Sequence, residues 1–188
     1  MPTQSSEIAT LQSWLTAIMQ LKLLPRTGWL QHGVATAESI AEHSFGVSAL
    51  ALAYGSMLEG IDMGRLLGIA IIHDMAEAQL SDLPRSARLL IGAAIKQAAE
   101  RQALVQLLAE HPNAQYMQAL WEDYAAGRSR EARLVKALDR LEMLAQALSY
   151  ERAGHRTLDE FWEGLDVGWD EFPQLGTLAL ALFAQRRS

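Results

Sequence analysis

The chain has 188 residues, half of them hydrophobic, and carries 22 acidic against 16 basic side chains for a formal net charge of −6. That length suits one well-buried domain, and the acidic balance excludes the electrostatic footprint of a protein that binds nucleic-acid polymers or an anionic membrane. There is no cysteine, so disulfides, thiolate sites and cysteine nucleophiles are excluded and any metal must be held by His and carboxylates.

The polar stretch at residues 1–7 lacks the basic and apolar regions of a signal peptide. Ser44 to Leu58, the longest uncharged run near the core, is shorter than the about 20 residues that span a bilayer. A soluble, cytoplasmic protein is expected. Helical spacing recurs throughout and no sustained alternation marks strands, so the chain reads as all-α.

A first helix is predicted from Ile8 to Lys22, with Leu11, Leu15, Ile18 and Leu21 on one stripe, ending before Pro25. The stretch "LPRTGWLQHGVATAES" follows as a loop of the kind that often carries function. A second helix is predicted over Ser39 to Leu58 and a third over Met63 to Ala78, with "SDLP" as the turn after it. The fourth runs from Ser86 to Glu110, the fifth from Asn113 to Ala126 and the sixth from Ser129 to Arg152. Trp162, Trp169 and "LGTLALALF" suggest one or two further helices packed onto the bundle.

Within this frame the run "GIAIIHDMAEAQLSDLPR" is unusual, because an apolar segment ends in His73 and Asp74 with Glu77 and Asp82 close behind. Charges at the end of a buried element need a partner. His43 near the start of the second helix and Asp139 inside the sixth are the other candidates. Two imidazoles and two carboxylates suit Mn, Fe, Co, Zn or Mg without choosing among them. Such a set leaves positions for water and a substrate oxygen, as metal-assisted hydrolysis requires. Glu77, three residues after Asp74, shares its helical face if the helix continues, and can then orient or deprotonate water.

Blander readings exist for each. His73 can be a core histidine bonded to Asp74, Asp139 can pair with Arg140 or Lys136, and Glu77 can be a solvated helix residue. Trp14, Trp29 and Trp121 suit a core or an interface, and His32, His111 and His155 lie in contexts that suit an exposed imidazole.

The segments "LPRTGW" (24–29), "ESIAEHS" (38–44), "IIHDMAEAQLSDL" (71–83), "LWEDY" (120–124) and "VKALDRLEMLAQALSYE" (135–151) occur in the order found in one family. The chain resembles the HD-domain metal-dependent phosphohydrolases, and within them the 5'-deoxynucleotidase branch. The resemblance implies a single-domain HD-domain helical bundle over residues 1–188, with its core at about 14–151 and a variable C-terminal segment at 152–188. It places the H…HD…D signature on His43, His73, Asp74 and Asp139, holding one divalent ion. By the same resemblance Glu77 acts on the attacking water, Asp82 assists catalysis or holds the sugar side, Arg26 contacts the phosphate and Trp29 shapes the nucleoside pocket. Two positions depart from the family pattern: His32 stands where an Arg is expected, and Ala37 where a Pro is expected.

The implied reaction is hydrolysis of a nucleoside 5'-monophosphate, 2'-deoxy by preference, to nucleoside and phosphate. The implied assembly is a homodimer, with "LWEDY" serving an interface or the core. The rivals are hydrolysis of a cyclic nucleotide, nucleoside triphosphate or alarmone, and a non-catalytic nucleotide-binding module. Dinuclear iron chemistry ranks lower, because His111 is the only His between Asp74 and Asp139.

Overall fold

Caps written into the sequence set where the principal helices begin. The computed structural model describes residues 4–187, so the first three residues of the polar N-terminal stretch lie outside it. The chain runs through α1 (Gln4–Leu23), α2 (Thr27–Gln31), α3 (Ile40–Gly55), α4 (Met63–Ile72) and α5 (Glu77–Leu80). It continues through α6 (Arg85–Ile91), α7 (Ala93–Leu107), α8 (Ala114–Ala126), α9 (Arg130–Arg152) and α10 (Pro173–Ala184). Ser39 and Glu42 close a reciprocal capping box on α3, Asp62 caps α4 by accepting from the Arg65 N–H, and Ser129 caps α9. Each satisfies amide groups that would otherwise lack a partner. Among the described residues there is no strand, and an antiparallel bridge joins Pro25 to Ser39 at the mouth of the α1–α3 connection.

α3, α4 and α9 pack on one another at the centre, α8 lies against α4, and α10 closes over α9. Val47 and Ala51, Leu66 and Ile69, and Leu134, Leu138 and Leu144 are completely or almost completely withdrawn from water. Each large aliphatic group contributes roughly 1.5–3 kcal/mol by its burial. Buried Asp123 ties three helices together: it accepts from Arg65 Nε of α4 at 3.1 Å, and from Ser129 N at 2.9 Å and Ser129 Oγ at 2.6 Å just before α9. Leu120 and Trp121 are likewise buried, so these two residues of "LWEDY" serve the core. No helix among the described residues is long and apolar enough to cross a membrane.

Four expectations change, the first being that the stretch expected as a loop after the first helix holds the short α2 at Thr27–Gln31. The predicted fourth helix is two, because Gly92 adopts φ 82 and ends α6 before α7 begins; only glycine enters that conformation without steric cost. The predicted third helix stops at Ile72, and α5 resumes at Glu77. The stripe expected on α1 is split: Leu21 is buried, whereas Leu11, Leu15 and Ile18 are exposed.

Candidate active site

The site lies where α3, α4 and α9 meet beneath an open cleft of about 1510 Å³. His43 arrives on the first turns of α3 and is completely buried, and His73 caps the C-terminal end of α4 and is 3% exposed. Their Nδ1 atoms are occupied. His43 Nδ1 meets Glu142 Oε2 at 2.6 Å, and His73 Nδ1 meets the Ala70 carbonyl at 2.7 Å. Both Nε2 atoms are buried and make no hydrogen bond. His43 Nε2 lies 3.1 Å from Asp139 Oδ1 and 3.8 Å from Asp74 Oδ2, and His73 Nε2 lies 3.3 Å from Asp74 Oδ2. The four residues named in the sequence thus converge on one point.

The end of α4 explains part of this convergence. After Ile72 the backbone tightens, with Met75 N bonding Ile72 O, Glu77 N bonding Asp74 O and Ala78 N bonding Met75 O. Three residues per turn eclipse positions i and i+3, so Asp74 and Glu77 line up more closely than a continued α-helix would place them. Ser81 then takes φ 64, an uncommon conformation for a residue with a Cβ, and the chain turns back. Asp82 accepts from Thr27 N at 2.6 Å and Thr27 Oγ1 at 3.0 Å, fastening α2 to the cleft wall.

The electrostatics are lopsided. Burial would raise the carboxyls of Asp74 and Asp139, yet His73 and His43 beside Asp74, and His43 and His73 beside Asp139, hold both well below the usual range. Burial and Arg26 oppose charge on His43, but the Asp139 and Glu142 carboxylates push it up to about 10. Burial likewise works against charge on His73, and Asp74 outweighs it. These carboxylates demand positive charge, which the imidazoles supply only by taking protons. A divalent cation satisfies the carboxylates and the bare Nε2 atoms together, with the Nδ1–H groups held outward as metal-binding histidines usually are. His43, His73 and Asp139 also offer ligand atoms within 4.8 Å of one another. The donor set fits such an ion.

Around this point stand the other sequence candidates. Glu77 is 5% exposed, its Oε2 has no hydrogen-bond partner, and burial together with Asp74 and Asp82 pushes its carboxyl well above the ordinary value. Arg26 Nη1 reaches Asp74 Oδ2 at 3.4 Å. Burial disfavours its charge, but Asp74, Asp139, Asp82 and Glu77 hold it protonated. Trp29 is buried, stacked on Phe161 with ring centroids 4.1 Å apart, and donates from Nε1 to Glu38 Oε1 at 2.9 Å. It lines the cleft.

The HD domain family matches residues 18–167. The chain belongs to the HD-domain family. It is 32% identical over 160 residues to the 5'-deoxynucleotidase hdd1 of Schizosaccharomyces pombe, covering 80% of this chain and 79% of that one. It is 30% identical over 181 residues to the human 5'-deoxynucleotidase HDDC2, covering 94% and 86%. A solved structure of a conserved hypothetical protein from Pyrococcus furiosus superposes with a TM-score of 0.78 at 37% identity, covering 95% and 99%. The chain is therefore an HD-domain enzyme of the metal-dependent phosphohydrolase class.

Three residues of this HD-domain site were not found from sequence. Tyr124 donates to Asp139 Oδ2 at 2.9 Å, and burial, Asp139 and Asp74 all push its phenol well above its ordinary value, so it remains a donor. Glu142 holds His43, and Glu38 holds Trp29. The ion pairs weighed for Asp139 do not form: Arg140 donates to the Gly164 and Val167 carbonyls, and Lys136 lies over the Tyr124 ring. His32 is half-buried instead of exposed, bonded through Nδ1 to the Gly28 carbonyl and 3.2 Å from Glu160 through Nε2.

Proposed function

We propose that this chain hydrolyses nucleoside 5'-monophosphates, 2'-deoxy by preference, to nucleoside and phosphate, with one divalent ion held by His43, His73, Asp74 and Asp139. The observation that carries the reading is the pair of buried, unbonded Nε2 atoms facing two depressed carboxylates, with the unpartnered Glu77 oxygen nearby. The bound ion supplies Lewis acidity to the phosphoryl oxygens and makes water more acidic.

The chain's own groups do the rest. Arg26, held protonated against the acidic cluster, offers a planar fork to the phosphate. Glu77 is buried beside the centre with one carboxyl oxygen free of any hydrogen bond, and in its ionised form takes the proton of the attacking water there. Asp82 keeps Thr27 and the α2 turn against the cleft, beside the leaving 5' oxygen. Trp29, clamped between Phe161, Tyr150 and Glu38, gives the nucleoside side a fixed wall. The names of the curated relatives, 5'-deoxynucleotidases in fission yeast and human, support the monophosphate and the deoxy preference.

Phosphate release from deoxy- and ribonucleoside 5'-monophosphates, with metal-stripped protein and Co, Mn, Zn, Fe or Mg added back, tests the reading. Metal-restored release, faster on deoxy substrates, supports it. Silence on all monophosphates with metal bound points to a cyclic nucleotide, a triphosphate, an alarmone or a non-catalytic role. The exposed apolar side of α1, formed by Ile8, Leu11, Leu15 and Ile18, is the face we assign to a homodimer. Leu15→Glu should then give monomers in equilibrium sedimentation, whereas a monomeric parent protein contradicts that assignment.

A further inference from the structure

The two histidines at the centre are oriented by different means. His73 is held by a main-chain carbonyl of its own helix, Ala70 O. His43 depends on a side chain from another helix: Glu142 Oε2 on α9 lies 2.6 Å from its Nδ1. Glu142 follows Asp139 by three residues, so a single turn of α9 presents one carboxylate to each side of the His43 ring.

A second feature points to the same contact. Gly46 lies three residues after His43 in the interior of α3, a position where glycine costs helix stability relative to alanine. A Cβ there would stand 2.8 Å from Glu142 Oε1 and 3.0 Å from its Cγ. The glycine leaves the room in which this carboxylate sits. Glu38, which accepts from Trp29, offers an oxygen within 4.8 Å of a Glu142 oxygen and a His43 ring nitrogen. The contact therefore lies between the ion site and the wall assigned to the nucleoside.

We propose that Glu142 is a positioning residue that fixes the tautomer and ring angle of His43 for metal capture, and that Gly46 is required to admit it. This rests on the metal reading proposed above. A carboxylate that accepts the Nδ1–H leaves the Nε2 lone pair for the ion, and also makes the imidazole a stronger donor. Nothing comparable can be removed from His73 by mutation, because its partner is backbone.

The test measures Zn²⁺ affinity of metal-stripped protein by competition with a chromophoric chelator. It also records the His43 Nδ1–H by ¹⁵N-edited NMR of the Zn-loaded protein. The parent is compared with Glu142→Ala, Glu142→Gln, Gly46→Ala and the Glu142→Ala/Gly46→Ala double variant. Removing the carboxylate should weaken Zn²⁺ binding about 10–100-fold and broaden or shift the Nδ1–H signal. Glu142→Gln, whose amide oxygen still accepts the proton, should recover much of both. Gly46→Ala should weaken binding in the parent but add nothing once Glu142 is gone. Parent-like affinity and an unchanged Nδ1–H signal in Glu142→Ala would overturn the inference, as would a Gly46→Ala effect of equal size in both backgrounds. Should Glu142→Ala fail to fold, Gly46→Ala decides alone: parent-like Zn²⁺ affinity with an unchanged Nδ1–H signal in that variant would overturn the inference. A parent protein that takes up no Zn²⁺ contradicts the metal reading itself, an outcome distinct from parent binding that Glu142→Ala leaves intact.

Discussion

The floor and the mouth of the cleft hold their charges in opposite ways. At the floor the side chains of His43 and His73 are 0% exposed, each fixed through Nδ1, with Asp74 and Asp139 facing their free nitrogens. At the mouth Arg85 bridges to Glu160 at 2.9 Å and Glu163 at 2.8 Å, with all three side chains well exposed. Charges at the mouth are solvated and need nothing further, whereas charges at the floor are costly to bury without a partner. The proposed function places the chemistry at the floor and expects the mouth to govern only access.

Changes to the floor should be the most damaging. Asp74→Ala or His73→Ala should lower turnover at least about 10³-fold, the scale on which phosphoryl transfer depends on its electrostatic elements, and should lower metal content in the same preparation. Elemental analysis alongside phosphate release checks both. Glu77→Gln should cut kcat by about 10²–10⁴-fold while metal content stays that of the parent. A loss of metal in that variant would make Glu77 a ligand instead.

Beneath the floor, Asp123 anchors α8, the helix that brings Tyr124 to Asp139. Asp123→Ala should cost about 2–3 kcal/mol, as expected for a buried carboxylate with several partners. Burial would raise this carboxyl, but Ser129 and Arg65 hold it below its ordinary value. Its contribution is therefore complete above the unfolded carboxylate value of about 3.9 and is lost as pH falls through the lower folded value. The melting-temperature gap between Asp123→Ala and the parent should be constant near neutrality and close only in strong acid. Arg85→Ala, at the mouth, should leave melting temperature, metal content and kcat unchanged, with at most a small rise in KM. A large fall in kcat there would erase the distinction between floor and mouth.

The same contrast governs what was legible in the sequence. Ser39 before "IAEH", Ser129 before "REAR" and the apolar periodicity of α3, α4 and α9 mark the central helices, because caps and stripes are local signals. His43, His73, Asp74 and Asp139 stand out because charged or imidazole groups interrupt or flank apolar runs. Glu142 and Glu38 carry no such mark, since their inward turn depends on which helices become neighbours. Gly46 in a helix interior was the available clue, a glycine whose cost needs a close approach to explain it. The break at Gly92 was missed because an isolated glycine within an Ala-rich helical pattern is compatible with either a continuous helix or a stop.

The central claim is that a divalent ion answers the buried nitrogens and carboxylates of the floor and makes the chain a nucleotidase. Its most direct test is to titrate Co²⁺ into metal-stripped protein while following both bound metal and phosphate release from a deoxynucleoside 5'-monophosphate. Release should rise in step with metal until one ion is bound per chain, and should stay at background in His73→Ala. Full release from metal-stripped protein, or one tightly bound ion with no release, would contradict the claim.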